Sequence, residues 1–350
     1  MDGKRMQSTS SGARFLFLVA AFVIVIAGVK AASAIIIPFL LSAFIAVICA
    51  PAFFWLKSKK IPTVISLFIV ITTIIIAGFL LTGLIGSSIN DFSKSLPLFQ
   101  SRIDTIFQGS YTWFNKLGIE LSETEVSEIF DPAIAMRYVA KIISEFGNVL
   151  KNGFLILLTV IFILLESSSF NSKIHTAFGS KTNAQFKANK FLESLKKYMA
   201  LKAIISLVTG IIIAIYLWLL GVKYPLLWGL LAFLFNFIPN LGSILAAIPA
   251  VLMALIQLGS GIALSVALGY VVVNIVIGNI VEPKFMGRGL GLSTLVVFLS
   301  LVFWGWVLGL VGMLLSVPLT MTLKIALENN DELRWIAILL GSEREHEPAT

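Results

Sequence analysis

Charged residues are unevenly distributed along this 350-residue chain, and their distribution is the strongest constraint on its fold. Only 13% of the residues are charged, about half the proportion found in soluble domains. Seven stretches of at least 14 residues contain no Asp, Glu, Lys or Arg: 15–29, 31–56, 61–90, 152–165, 203–222, 224–281 and 289–323. The remaining residues carry charge at roughly the density of a soluble protein. This partition excludes a soluble enzyme and a disordered tail, and it predicts a polytopic membrane protein.

The uncharged stretches favour membrane helices over a β-barrel. A crossing helix needs about 20 residues, whereas barrel strands alternate polar and apolar residues over segments of about ten. These stretches are apolar throughout, and the two longest have room for several segments each. We therefore expect an all-α integral membrane protein with about eight membrane segments. The single cysteine, Cys49, has no intrachain partner, which also excludes a disulfide scaffold.

Lysines predict how these segments are oriented, because basic loops stay in the cytoplasm. The segments 57–60 and 167–202 are rich in lysine, whereas 91–151 carries six basic and eight acidic residues. We expect the first two inside, 91–151 outside as a helical segment, and both termini in the cytoplasm. The net charge of +8 follows from these flanking residues, so nucleic-acid binding is not expected. The predicted regions are 1–90 (tail and three helices), 91–151, 152–222 (two helices around the basic segment), 223–327 (membrane core) and 328–350 (tail).

The membrane core contains two segments built on one plan. Each has an aromatic-rich first half, a break, a second half rich in small residues and a late proline. The first breaks at Asn236-Phe237-Ile238-Pro239-Asn240-Leu241-Gly242 and carries Pro249, and the second breaks at Gly309-Leu310-Val311-Gly312 and carries Pro318. We predict two helix–break–helix hairpins, re-entrant or fully crossing, on either side of one span near 262–281.

The chain shows no pattern typical of catalysis, metal binding or a cofactor. Its two histidines, His175 and His346, have no Cys or carboxylate at metal-ligand spacing. The segment Gly287-Arg288-Gly289-Leu290-Gly291 superficially resembles a phosphate loop but lacks the following Lys and Ser or Thr. We interpret it as a flexible joint between membrane segments, and we expect neither an enzyme nor a cofactor.

Neutral polar residues at the first break indicate a site for a solute. Unpaired backbone groups cannot face hydrocarbon, so a break at membrane depth should be buried in protein or face a water-filled cavity. Asn236, Pro239, Asn240 and Gly242 combine such a break with two amides, which suit a neutral, hydroxyl-rich solute. The alternative is that the asparagines only hydrogen-bond neighbouring helices.

The next span ends in further polar groups, Asn274, Asn279 and Glu282. A carboxylate near the membrane interior is costly and is often coupled to ions. Lys284 and Arg288 follow closely, so a structural ion pair at the interface is the alternative for Glu282.

At these residues the chain resembles the autoinducer-2 exporter family. The resemblance rests on these motifs: Trp228-Gly229-Leu230-Leu231-Ala232-Phe233, Asn236 to Ser243, Ala247-Ile248-Pro249, Glu282-Pro283-Lys284, Met286 to Ser293 and Ser316-Val317-Pro318-Leu319. It implies a helical transporter in the bacterial inner membrane, among membrane lipids, assembled as a homo-oligomer. It also implies export of autoinducer-2, a small neutral sugar derivative of the furanone type.

These observations combine into one predicted mechanism with two rivals. The predicted solute pathway is lined by both broken hairpins and the span between them. The predicted hinge or gate residues are Gly287, Arg288, Gly289, Gly291, Gly309, Gly312, Pro249 and Pro318. The first rival is a sodium or lithium/proton antiporter that uses Glu282. The second is a membrane scaffold that acts through segment 91–151.

Overall fold

The computed structural model describes residues 11–83, 86, 147, 151–167, 183–239, 241–286, 292–328 and 333–341. Within these ranges the chain forms helices and short turns and contains no β-strand, which confirms the all-α class. The predicted outer segment 91–151 lies almost wholly outside the described residues.

Eleven helices are assigned here in chain order across the described ranges. They are α1 (Ser11–Ala31), α2 (Ser33–Ser58), α3 (Thr63–Gly83), α4 (Gly153–Ser167), α5 (Asn183–Leu219), α6 (Pro225–Phe235), α7 (Gly242–Leu258), α8 (Ser260–Asn274), α9 (Glu282–Met286), α10 (Thr294–Glu328) and α11 (Arg334–Leu340). A π-helical segment, Ile275–Val281, joins α8 to α9.

Five described segments are long and apolar enough to cross a membrane. They are Ser33–Ser58, Thr63–Gly83, Leu195–Leu219, Ser260–Phe285 and Thr294–Glu328. Large apolar side chains such as Phe79 and Phe154 remain exposed on the helices, as expected of surfaces that face lipid. The count of eight membrane segments stays a prediction, because length and composition alone establish five.

The N-terminal helices pack through small residues on α2. Ser42, Ala46 and Ala50 recur every four residues and lie on one buried face, which lets α4 approach closely. The Ser42 hydroxyl lies 2.6 Å from the Pro38 carbonyl oxygen and 3.3 Å from that of Ile156 on α4. These contacts fix α2 against α4 without burying an unpaired polar group.

Hairpin 1 consists of α6, α7 and the connecting residues 236–239 and 241. Pro225 begins α6 at a position where its missing N–H costs nothing. Near the end of α7, the Gln257 side chain contacts the residues that precede α6. It donates from Nε2 to the Gly221 carbonyl oxygen (3.0 Å) and accepts from the Lys223 N–H (2.8 Å). The end of α7 therefore returns to the beginning of α6.

Hairpin 2 is α10, which has a first arm (294–308) and a second arm (310–328). Gly309 has φ 64° and ψ −148°, a conformation that essentially only glycine adopts. The indole N–H of Trp304 donates to the Thr320 hydroxyl at 3.0 Å, although residues 16 apart in a straight helix are separated by about 24 Å. The helix therefore folds back at Gly309. Gly312, which the sequence placed in the break, lies within the helical second arm.

The two hairpins enter the molecule from opposite ends of α5. The base of hairpin 1, at Gly221 and Gln257, adjoins the C-terminal end of α5. Near the base of hairpin 2, Leu292 and Met321 pack with Tyr198, close to the start of the apolar part of α5. The helix–break–helix arrangement is thus present at both predicted places, and whether the hairpins are re-entrant stays a prediction.

Candidate functional site

A face of α5 presents polar side chains toward the tip of hairpin 1. Lys202, Ser206 and Thr209 recur at helical spacing and are all buried. Asn236, the residue that ends α6, donates a hydrogen bond from Nδ2 to the Ser206 hydroxyl at 2.9 Å. The Thr209 hydroxyl donates to the carbonyl oxygen of Ile205 in its own helix at 2.9 Å. The break in hairpin 1 is therefore held against α5 by neutral polar groups, which is the helix-to-helix bonding named above as the alternative for Asn236.

A cavity of about 20 Å³ lies between α5, hairpin 1 and the span that starts with α8. Its polar lining comes from Thr209, Asn236, Ser243, Tyr270 and Asn274. Its apolar lining comes from Ile213, Ala232, Ala246, Val273 and Ile277. The volume suits one water molecule, which needs two to four polar partners of this kind. None of the residues that line the cavity is charged.

Tyr270 is a polar cavity residue that sequence reasoning missed. The residue is only 5% exposed, and its hydroxyl group has no hydrogen-bond partner among the described residues. A tyrosine within an apolar span is itself the missed signal, because a buried phenolic hydroxyl normally requires a partner.

Asn274 and Asn279 occupy different positions around the π-helical segment. Asn274 directly precedes the segment and lines the cavity, whereas Asn279 lies within the segment; both residues are exposed on one side. π-helical turns occur mostly as short, isolated insertions in α-helices, often at functional sites. The structure therefore brings Asn236 and Asn274 to one cavity and leaves Asn279 outside its lining.

Glu282 forms an ion pair with Lys202, which joins α9 to α5. The Lys202 side chain is 7% exposed and that of Glu282 is 22% exposed, so the pair is mostly removed from water. The structural ion pair named above as the alternative for Glu282 is therefore present, but its partner is Lys202 rather than Lys284, and Arg288 lies outside the described residues. The sequence had assigned Lys202 to the basic segment. Its position directly before the uncharged stretch 203–222 was the available signal. A pair this buried leaves each charge dependent on the other.

A second, larger cavity borders the tip of hairpin 2. Its volume is about 480 Å³, within the range of small-ligand sites, and Gly309 lies in its wall. Lys30, Ser33 and Asn152 line the opposite side. The ammonium group of Lys30 lies 4.0 Å from the centroid of the Trp306 ring, in a cation–π contact. The two hairpin breaks therefore adjoin two separate cavities.

The remaining predicted residues fall into two groups. Pro239, Gly242 and Pro249 belong to hairpin 1, and Gly312 and Pro318 belong to the second arm of hairpin 2. Asn240, Gly287, Arg288, Gly289 and Gly291 lie outside the described residues. Across the described ranges, no group of three or more His, Cys, Asp or Glu residues is placed to hold a metal ion.

Comparison with known proteins agrees with this architecture. Residues 16–331 match the family model described as AI-2E family transporter. A putative transport protein of Haemophilus influenzae is 43% identical over 96% of this chain and 98% of its own length. The AI-2 transport protein TqsA of Escherichia coli is 41% identical over 95% of this chain and 97% of its own length. A more distant relative, a sodium-lithium/proton antiporter of Halobacillus andaensis, is 25% identical over 71% of this chain and 72% of its own length.

Proposed function

The chain belongs to the AI-2E transporter family, and we propose that it exports autoinducer-2, or a similarly small neutral polar solute, from the cytoplasm. It is a multi-pass protein of the bacterial inner membrane. The similarity to a relative named as an AI-2 transport protein supports this choice of solute, since the alignment covers nearly all of both chains.

The observation that carries the proposal is the neutral lining of the cavity at the tip of hairpin 1. Amides and hydroxyls from α5, α6, α7 and α8 converge there, and no charged side chain lines the space. Burying a charged solute would require a compensating charge, whereas a neutral hydroxylated solute needs only hydrogen-bond partners. The site therefore suits the chemistry of a sugar derivative.

In the proposed mechanism, the hairpins change position relative to the N-terminal helices so that the site opens to each side in turn. Gly287, Arg288, Gly289 and Gly291 act as the hinge between α9 and α10. Gly309, Gly312, Pro249 and Pro318 supply bends within the hairpins. Both termini lie in the cytoplasm, the subunits assemble as a homo-oligomer in the lipid bilayer, and the number of subunits is left open.

Purified protein in liposomes tests the proposal through uptake of labelled autoinducer-2. Asn236→Leu removes both the amide at the break and its bond to Ser206, and we expect at least a tenfold loss of transport, the factor for about one to two hydrogen bonds. Ser206→Ala removes only the anchor and should retain more activity. Thr73→Val serves as the control, because its hydroxyl bonds only its own helix on an exposed face. Wild-type liposomes without uptake would refute the proposed solute.

The rival antiporter function makes Glu282 the coupling residue. The more distant antiporter relative favours this alternative, while the pairing of Glu282 with Lys202 counts against a carboxylate free to bind a cation. Sodium or lithium flux driven by a pH gradient, measured in the same liposomes, separates the two functions. Loss of that flux in Glu282→Gln, with no autoinducer-2 uptake by wild type, would favour the antiporter. The scaffold alternative instead predicts that deletion of 91–151 abolishes function while substitutions in the hairpins do little.

A further inference from the structure

The packing of the fold does not explain why residue 270 is a tyrosine, with a hydroxyl group, rather than a phenylalanine. The Tyr270 hydroxyl is buried beside the polar cavity and has no hydrogen-bond partner among the described residues. The ring belongs to the apolar core formed by α5, hairpin 1 and α8, where phenylalanine would fill the same space. An unpaired buried hydroxyl destabilises a fold, so each such group calls for a specific reason.

A second tyrosine illustrates a purely structural role. Tyr216 on α5 donates its hydroxyl hydrogen to the Ser265 carbonyl oxygen on α8 at 2.6 Å. Its ring lies so close to Gly269 that a Cβ atom there would be 2.2 Å from it. Tyr216 thus holds α5 against α8, and its hydroxyl is satisfied within the protein. Tyr270 has the same chemistry without such a partner.

Resting on the proposed function, we propose that Tyr270 is a specificity-determining residue that hydrogen-bonds an oxygen atom of the transported solute. A phenolic hydroxyl both donates and accepts, as do the amides of Asn236 and Asn274 on the other walls of the cavity. Three such groups around one space recognise a small uncharged molecule with neighbouring hydroxyl or carbonyl oxygens. They discriminate against analogues that lack those oxygens, because a buried polar group is then left unpaired.

With Tyr270 assigned in this way, the described conformation is a closed one. About 20 Å³ accommodates a single water molecule, so a sugar-sized solute requires the walls to separate. Gly210 and Gly229 hold α6 against α5 so closely that a Cβ atom on either would lie 2.6 Å from the carbonyl oxygen of the other. Tyr216 holds α8 against α5 in the same way, so opening of the cavity requires one of these two contacts to loosen.

Two variants that each remove one hydroxyl group test the role of Tyr270, through transport in liposomes and unfolding in detergent. For Tyr270→Phe we expect the KM for autoinducer-2 to rise about tenfold, the factor that corresponds to one lost hydrogen bond. Its thermal unfolding midpoint should equal or exceed that of wild type, because an unpaired hydroxyl has been removed. The matched control, Tyr216→Phe, should keep the wild-type KM and lower the unfolding midpoint, because it loses the bond to Ser265.

A second measurement does not depend on transport. Autoinducer-2, D-ribose and glycerol are each added to the purified protein, and the shift of the unfolding midpoint is recorded for wild type and both variants. We expect at least one of these solutes to stabilise wild type and Tyr216→Phe, and to stabilise Tyr270→Phe much less.

The outcomes separate the two proposals. If wild type transports autoinducer-2 and Tyr270→Phe has an unchanged KM, the role of Tyr270 is refuted while the proposed function stands. If wild type does not transport autoinducer-2 but another solute stabilises it in a Tyr270-dependent way, the proposed function fails and the role of Tyr270 stands. If no solute is transported and none stabilises wild type, both are refuted.

Discussion

The two hairpins reverse the chain with the same contact but differ in what surrounds their tips. In hairpin 1, a Cβ atom on Gly242 would lie 1.8 Å from the Phe235 carbonyl oxygen. In hairpin 2, a Cβ atom on Gly312 would lie 2.0 Å from that of Trp304. Each second arm therefore begins with a glycine pressed against the backbone of the first arm.

The tips themselves have different surroundings. Asn236 ties the tip of hairpin 1 to α5 beside a small cavity lined by neutral groups. Gly309, at the tip of hairpin 2, borders a much larger cavity with Lys30 and Trp306 in its wall. The shared glycine contact is what reversal of a helix requires, whereas the surroundings of each tip are where the two units can differ in function.

The largest expected effect tests the shared contact. Gly242→Ala and Gly312→Ala should each cost about 4–5 kcal/mol or more, enough to remove folded protein, because the new methyl group meets backbone atoms that cannot move aside. Thermal unfolding in detergent and the yield of monodisperse protein measure the effect. Gly78→Ala is the control, since it lies in a helix with open space around its Cβ position. If only one of the two variants unfolds, the hairpins do not share this contact in the way proposed.

The next effect concerns two ion pairs, one between α5 and α9 and one within hairpin 2. Glu282→Gln should cost about 3 kcal/mol, because it leaves the buried Lys202 charge without its partner. Glu328→Gln should cost less than about 1 kcal/mol, since Glu328 is half exposed and lies 3.5 Å from Lys324. Equal unfolding midpoints for the two variants would contradict the difference in burial.

A double variant shows whether the Lys202–Glu282 ion pair itself contributes to stability, or whether only an unpaired buried charge is harmful. Lys202→Met combined with Glu282→Leu should recover most of the stability that Glu282→Gln loses, because no buried charge remains. Failure of the double variant to recover would indicate that one of the two groups has a further partner.

A smaller effect tests the tip of hairpin 2. Gly309→Ala should cost about 2 kcal/mol, because its φ of 64° with ψ of −148° strains any residue with a side chain. Open space surrounds its Cβ position, so a steric clash contributes nothing. Chemical denaturation in mild detergent measures the change, and an unaltered midpoint would mean that the chain reverses without this conformation.

The smallest effect separates a structural bond in hairpin 2 from the polar contacts of hairpin 1. Trp304→Phe removes the bond to the Thr320 hydroxyl and should cost about 1 kcal/mol, while transport of autoinducer-2 stays close to wild type. Asn236→Leu should lose transport at a similar cost in stability, because it also removes one hydrogen bond. Loss of transport in Trp304→Phe would place hairpin 2 in the solute pathway as well.

Much of the architecture could be predicted from the sequence because it depends on local chemistry. Runs without charge predicted the apolar helices, and Gly242 and Gly309 belonged to the two predicted breaks. The family resemblance is confirmed by a match that covers residues 16–331. Asn236 lines a polar cavity, as a break in a membrane helix requires, and its contact with a solute stays a prediction.

The features that sequence reasoning missed depend on contacts between distant residues. Lys202 and Glu282 are 80 positions apart, and each looked like a residue at the edge of an apolar run. Asn236 and Ser206 are 30 apart on different helices, so their bond could not be read from either segment alone.

The sequence by itself determined the class of protein, its family and the places where its helices break, because hydropathy, proline and glycine act within a few residues. The tertiary structure decided which charges are paired and which buried hydroxyl finds no partner among the described residues. A membrane helix can turn any face toward its neighbours at similar hydrophobic cost, so only close packing, as between Gly210 and Gly229, selects the face. That selection places the Tyr270 hydroxyl beside the polar cavity, with no hydrogen-bond partner in the part of the chain that the structure describes.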